Sequence, residues 1–213
     1  MLPIAKPQVN AELGIDIDKV KGFLDADEGA ALYTAALETA SLGPCLEIGS
    51  YCGKSTVYLG RACQKANGIL YAVDHHRGSE EHQLGEAYHD PQLYDAQCGK
   101  MDSFREFRRT LALAELEDTV VPIVAPSALA ARHWATPLGM VFIDGGHSMA
   151  AALTDYRCWA PHIVRGGLLA IHDVFPNPAD GGRPPFDIWQ LAQQSGLFEP
   201  MPLLKTLGIL RRL

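Results

Sequence analysis

Residues 45–56, Cys45-Leu-Glu-Ile-Gly-Ser-Tyr-Cys-Gly-Lys-Ser-Thr56, read as an apolar strand that passes through a glycine turn into a helix. Cys45, Leu46 and Ile48 fill a buried strand, and Gly49 and Gly53 let the backbone turn sharply and come close to a ligand. A turn of this kind presents unpaired amides at the start of a helix, where a nucleotide-like ligand is the natural occupant. Spacing then narrows the choice. A P-loop needs four residues between its first glycine and Gly-Lys-Ser/Thr, whereas Gly49 and Gly53 enclose three. The dinucleotide fingerprint fails as well, because Tyr51 stands where the second glycine must meet pyrophosphate. What remains is Glu47-x-Gly49-x-x-x-Gly53, an acid on the strand and one close-approach turn, which suits a ligand with an amino group and no phosphates.

The 213 residues and 47% hydrophobic content predict one compact unit with a sizeable core. A net charge of −7 argues against a nucleic-acid substrate, which calls for a basic face, and favours a small molecule. Cysteines at 45, 52, 63, 98 and 158 show no zinc-type pairing and are odd in number, so reduced thiols in a cytoplasmic protein are expected. Neither a leader-like segment nor an apolar run of spanning length is visible, which predicts a soluble, unprocessed chain with no membrane partner. Oligomeric state is left open, a homo-oligomer included.

Along the chain, residues 1–16 lack periodicity and read as an arm, with Asp16 or Asp18 as a helix cap. Val20 to Ala40 repeats apolar residues at helical intervals, as one broken helix or two short ones. After the opening strand, a helix over 54–66 stops at Asn67-Gly68, and the strand Ile69–Asp74 ends in an acid. A carboxylate about twenty residues beyond a glycine turn holds sugar hydroxyls in such β-α-β units, so Asp74 is either a ribose acceptor or a strand-end cap. Residues 75–100 form a long polar insertion with His75, His76, His82 and His89, read as a substrate-side lid or a metal-binding segment. A helix over 101–114 has Arg105, Arg108 and Arg109 on its solvated face, and Thr119–Val124 is a strand in which Pro122 suggests placement near a strand end or an edge. Ser127 caps the next helix, contacts adenine, or does both. Gly139–Asp144 is a strand that turns at Gly145-Gly146 toward His147, a helix spans 149–160, and a strand over 165–174 carries His172 and Asp173. An ordered turn over 175–186 feeds a helix over 186–195, with Arg183 read as a substrate-carboxylate partner or a surface residue. The segments 198–204 and 206–212 close the chain as an antiparallel pair. This alternation predicts a three-layer α-β-α, Rossmann-like seven-stranded sheet, mostly parallel with an antiparallel last strand, and gathers Gly49, Asp74, Ser127, Asp144 and Asp173 on one rim.

Leu46-Glu-Ile-Gly-Ser-Tyr-x-Gly-Lys-Ser-Thr56 resembles the first motif of class I S-adenosylmethionine-dependent methyltransferases. Phe142-Ile-Asp-Gly-x-His147, Asp155-x-x-x-Trp159-x-Pro161, Gly166-Gly167 and His172-Asp173 are similar, in the same order, to the small-molecule O-methyltransferase branch that includes macrocin-type and cephalosporin hydroxylase-like enzymes. The resemblance implies residues 41–213 as the methyltransferase domain, with residues 1–40 as an arm and helices covering the cofactor cleft. It implies that Glu47 orients the cofactor's amino group, directly or through water, that amides from Gly49 to Gly53 meet the methionine portion, and that Asp74 holds the ribose. Ser50, Tyr51, Ser55, His75, Ser127 and Asp144 belong to the same implied set. His147 matches the histidine that the family assigns as general base, beside Asp144, and the alternative is a histidine satisfied by the turn. Related enzymes hold a divalent ion at the ends of the fourth and fifth strands, which here implies Asp144 and Asp173 with His172 in place of an oxygen ligand; otherwise Asp173 fixes the His172 ring. The reaction so implied is O-methylation of a small hydroxylated metabolite. Two rivals are a same-fold protein that performs no methyl transfer and, less compatible with the turn, a P-loop phosphotransferase.

Overall fold

The computed structural model describes residues 6–86 and 88–213. Two helices, α1 (Lys6–Glu12) and α2 (Ala26–Thr39), precede β1 (Cys45–Ile48), α3 (Lys54–Lys65) and β2 (Leu70–Asp74). A small hairpin, β3 (Tyr94–Asp95) with β4 (Lys100–Met101), lies inside the 75–100 insertion. There follow α4 (Phe104–Leu113), β5 (Val120–Val124), α5 (Ser127–Ala131), β6 (Leu138–Ile143), α6 (Met149–Trp159) and β7 (Ile163–Ile171). The chain ends with α7 (Pro178–Gly181), α8 (Pro184–Gln194), β8 (Phe198–Pro200) and β9 (Gly208–Arg212).

Seven strands form one sheet in the order β5-β2-β1-β6-β7-β9-β8, parallel from β5 to β7, with β9 antiparallel to both its neighbours. The expected Rossmann-like architecture is therefore present. Strand alternation sorts the side chains: Cys45, Met140 and Phe142 enter a core with α2 and α3, while Leu46, Ile48, Val141 and Ile143 enter a second core with Trp159 and Ile188. Both sheet faces are thus covered, as a parallel sheet requires. Pro122 lies in β5 at the sheet edge, where its missing amide costs no ladder bond. Arg105, Arg108 and Arg109 are exposed, and the five cysteines are free. Among the described residues no helix is long and apolar enough to cross a membrane.

Four local expectations need correction. The arm is helical over Lys6–Glu12, and Val9 and Leu13, one turn apart, are fully buried against α2 and α3; Pro7 reads as a breaker in sequence but is tolerated in a first turn. Residues 1–5 of that arm lie outside the described residues. Asp16 stands at the N-cap position of a 3₁₀ turn, Ile17–Lys19, without a side-chain cap bond, and the long helix is capped instead by Asp25, which accepts from the Asp27 amide at 2.7 Å. The 75–100 insertion holds a hairpin and short 3₁₀ turns, so it is no structureless loop. The closing pair is shorter than expected on its first arm, and the 175–186 turn contains α7.

Candidate active site

The register pairs Ile48 with Ile143 and Ile143 with Ile171, so the chain leaves β1, β6 and β7 with Gly49, Asp144 and His172 side by side. This is where the strand order reverses, and where open α/β sheets leave a crevice. Gly49 has φ +89°, and a Cβ there would stand 2.0 Å from the Asp144 carbonyl oxygen. The neighbouring strand end therefore demands the glycine, independently of any ligand. Gly53 opens α3, faces Thr110 and Phe107, and lines neither chamber of the site, which corrects its expected ligand contact.

Two connected chambers follow this rim. The larger, about 550 Å³, is lined by Asp74, His75, Ser127 and Asp155 among others. The smaller, about 100 Å³, lies against Lys21, Phe23, Ser50, Lys54, Ser55 and Asp173. Gly49, Tyr51, Ser79, His82, Asp144 and His147 line both. His75 and His82 of the insertion thus face the site, whereas His76 is buried on Ser103 and Phe107, where burial pushes its pKa down.

Asp74 accepts the Tyr51 amide on Oδ2 at 2.8 Å and the His76 amide on Oδ1 at 2.7 Å. It is a strand-end cap, and since each carboxylate oxygen accepts two bonds it keeps capacity toward the larger chamber. Those bonds hold Tyr51 at φ +45°, a left-handed conformation uncommon for a side chain of its size. Nδ1 of His75 accepts the Arg77 amide at 3.0 Å, so the ring proton sits on Nε2. Ser127 does not cap α5; its Oγ accepts the Trp159 indole N–H at 2.8 Å. Asp155 is buried in the wall of the larger chamber, and burial pushes its carboxyl up to about 6 against the pull of the Ser127 hydroxyl. The sequence marks Asp155 only through the Asp155-x-x-x-Trp159-x-Pro161 resemblance and gives it no role in the site. Arg183 pairs with Asp187 on the surface, the structural alternative of its two readings.

Glu47 corrects a further expectation. It is fully buried between β1 and α3, accepts from Thr56 Oγ1 at 2.6 Å, and lines neither chamber, so it stands behind the turn. Among the described residues its Oε1 makes no hydrogen bond of good geometry, and the buried hydroxyl of Ser50 lies close enough to this carboxyl to pull its pKa down. Burial pushes the Glu47 carboxyl up to about 7, opposed by nearby hydroxyls of Ser55 and Thr56. With a folded-state pKa above the ordinary glutamate value of about 4.5, Glu47 contributes stability that is fully present below about pH 4.5 and is lost as pH rises through about 7. Glu47→Gln is expected to reduce the fall in unfolding free energy between pH 4.5 and pH 8 by on the order of 3 kcal/mol, read by urea titrations at the two pH values. An unchanged pH dependence would show that the carboxyl is not buried in its neutral form.

The acids and imidazoles past β6 and β7 form one cluster. His172 is buried, with Nδ1 3.1 Å from Asp144 Oδ1 and Nε2 3.1 Å from Glu28 Oε2. Ionised carboxylates only accept, so both nitrogens donate and the ring is an imidazolium. Burial opposes that charge, but Asp144, Asp173 and Glu28 prevail and hold its pKa far above the usual range. Glu28, from α2, also accepts the Thr206 amide and hydroxyl, each at 2.8 Å. Asp173, at φ +56°, places Oδ2 3.1 Å from His147 Nε2 and 3.4 Å from His172 Nδ1. Burial alone would raise its pKa; the two imidazoles hold it below the carboxylate range.

This geometry removes His172 from the expected metal ligands, because neither ring nitrogen offers a lone pair. His147 stands in its place: Asp144, His147 and Asp173 can each bring a ligand atom within 4.8 Å of the other two. Two carboxylate oxygens and one imidazole nitrogen fit a divalent ion such as Mn²⁺ or Zn²⁺ better than Mg²⁺.

Comparison with known proteins places this arrangement. Residues 46–174 match the family model described as a methyltransferase domain. Among solved structures, the O-methyltransferase NovP superposes with a TM-score of 0.68 at 14% identity, over 88% of this chain and 80% of its own. The SAH-bound methyltransferase PaMTH1 of Podospora anserina gives 0.64 at 12% identity, over 97% and 88%. TomG of Streptomyces achromogenes, an O-methyltransferase involved in tomaymycin synthesis and solved with SAM, gives 0.61 at 14% identity, over 97% and 87%. At such identities the structural likeness speaks to the fold, and the family match, which takes in the strand–turn–helix and the rim acids together, makes the chain a member of the methyltransferase-domain family.

Proposed function

We propose that the protein transfers a methyl group from S-adenosylmethionine to a hydroxyl of a small molecule. The observation that carries this reading is the placement of Asp74 and the His147–Asp173 pair on two chambers that share Gly49, Tyr51, Asp144 and His147 as lining. Asp74, with lone pairs left over from its two amide bonds, suits the ribose, and Ser127 and His75 flank the adenine side. The Ser50 hydroxyl and the turn amides suit the amino-acid end, with Ser55 beside them. Asp144 lines both chambers, where a carboxylate favours a sulfonium. Lys21, Gly22, Phe23 and Leu24 wall the smaller chamber, which supports the first forty residues as a cover over the cleft.

Within this reading His147 is the general base. Its Nε2 lies 3.1 Å from Asp173 Oδ2, so that as the ring takes the acceptor's proton Asp173 stabilises the resulting imidazolium. As the proton passes to His147, the acceptor oxygen bonds the methyl carbon in line and the carbon–sulfur bond breaks, with its electron pair remaining on sulfur. Holding the three atoms in line supplies much of the acceleration. A divalent ion held by Asp144, His147 and Asp173 would supply Lewis acidity toward the acceptor oxygen and would engage the imidazole that the base role requires. The acidic net charge favours a small acceptor over nucleic acid, and the free thiols favour a reducing compartment.

Calorimetry with S-adenosylhomocysteine is expected to give a dissociation constant in the micromolar range, about −8 kcal/mol, weakened at least about tenfold in Asp74→Ala. No binding by the wild type would sink the reading. Binding without methyl transfer to any of a panel of phenols, catechols, sugars and hydroxy acids would favour a protein that uses the same pocket without this chemistry.

A further inference from the structure

Phe23 is a large apolar residue that the core does not use. Val20 and Leu24, on either side of it, are each 7% exposed and pin the segment before α2, yet Phe23 is 68% exposed and lines the smaller chamber. Tyr51 and His82 line that chamber as well. The Tyr51 ring lies 6.2 Å from the Phe23 ring with the planes 29° apart, and the His82 ring lies 5.4 Å from Tyr51. Tyr88, 48% exposed, stands edge-on to Phe23 at 5.3 Å and 74°, and 6.3 Å from His82. These rings come from three separate stretches of chain: the cover, the turn after β1 and the 75–100 insertion. Lys21 ties the cover to the insertion, pairing with Asp90 and donating to Gln92 Oε1 at 2.7 Å.

The same chamber is lined by Asp144, His147 and Asp173, so an aromatic wall and the reacting groups belong to one small space. Apolar and aromatic walls with a few convergent polar groups are the pattern of a small-molecule site. Any ring would bury area against such a wall, but a planar aromatic one adds offset-stacked and edge contacts that a puckered ring cannot make. The chemistry points the same way, because a phenolic hydroxyl, with a pKa of about 10, gives up its proton more readily than an aliphatic one.

We propose that Phe23, Tyr51 and His82, with Tyr88 braced against Phe23, form an acceptor subsite that selects a planar aromatic ring carrying the hydroxyl to be methylated. This rests on the methyltransferase reading and adds a substrate class to it: a phenol, in preference to a sugar or another saturated alcohol. The selecting residues lie on the cover and the insertion, outside the sheet and its helices, where sequence changes alter the acceptor without disturbing the frame.

Calorimetry tests this on wild type, Phe23→Leu, Phe23→Tyr and Tyr88→Leu, each saturated with S-adenosylhomocysteine, with phenol and cyclohexanol as probes; the two carry one hydroxyl on a flat and on a puckered six-membered ring. Both replaced side chains are exposed, so the variants are expected to fold and to bind S-adenosylhomocysteine within about threefold of wild type. Wild type is expected to bind phenol at least about tenfold tighter than cyclohexanol. That ratio should fall by about threefold or more in Phe23→Leu, by less in Tyr88→Leu, and be kept in Phe23→Tyr, which restores a ring. Equal binding of the two probes, tighter binding of cyclohexanol, or no binding of either, in a wild type that binds S-adenosylhomocysteine, overturns the aromatic subsite and leaves the methyltransferase reading intact. A ratio that survives unchanged in both leucine variants overturns the assignment of selection to these rings. A wild type that does not bind S-adenosylhomocysteine overturns the reading and the subsite together.

Discussion

Replacing His147 with alanine is expected to lower kcat by about 10²- to 10⁴-fold, the range for loss of a positioned general base, with affinity for S-adenosylhomocysteine kept within a few-fold. The split matters, because a residue that merely lined the cavity would move binding and turnover together. Asp173→Asn probes the same element from the other side. It keeps the side chain's shape but weakens the grip on Nε2 and the stabilisation of the imidazolium, so kcat should fall by a smaller factor. Across acceptors of graded acidity the loss in His147→Ala should shrink as the hydroxyl becomes easier to ionise. If instead the loss is the same for every acceptor, and chelation inactivates the wild type to an equal degree, the ring is acting as a metal ligand.

His172→Ala should destabilise the fold by roughly 3–5 kcal/mol, the penalty for stripping the partner from buried charges. Three carboxylates converge on that ring, from Glu28, Asp144 and Asp173, and its removal leaves them facing one another with no cation between. The sign of the pH response follows. Because the folded state holds the His172 proton far above the unfolded-state value near 6.5, this residue contributes stability that is fully present below about pH 6.5 and is lost progressively as the pH rises above it. The variant should recover stability as the pH is lowered and the carboxylates take up protons. Urea denaturation at pH 5 and pH 8 reads both effects. A loss below about 1 kcal/mol at pH 8 would mean that the carboxylates find another partner.

Much of the frame is legible in the sequence, because buried parallel strands read as apolar runs and each run here ends in a polar residue. Ile48-Gly49, Val73-Asp74, Ile143-Asp144 and Ile171-His172 mark four strand ends, and those ends are the rim. The residues missed share a different property: their partners are remote in sequence. Glu28 sits in a helix turn beside Asp27 and reads as solvated charge, and nothing local signals that its carboxylate reaches His172. The burial of Asp155 and its contact with Ser127, in the preceding helix, are hidden by the same logic. The misreading of Gly53 has the opposite origin, for a glycine needed to pack against Thr110 looks, in one dimension, like a glycine needed by a ligand.

The Glu28 carboxylate ties together three places that the chain visits at widely separated times: the second helix, the exit of the seventh strand, and the loop before the last strand. Its span to His172 is 144 residues, so alignment of the reacting groups is secured only once nearly the whole polypeptide has come together. Contacts of such long range close late and couple distant segments, so that a disturbance of the loop carrying Thr206 would be transmitted through one side chain to the ring that steadies Asp144.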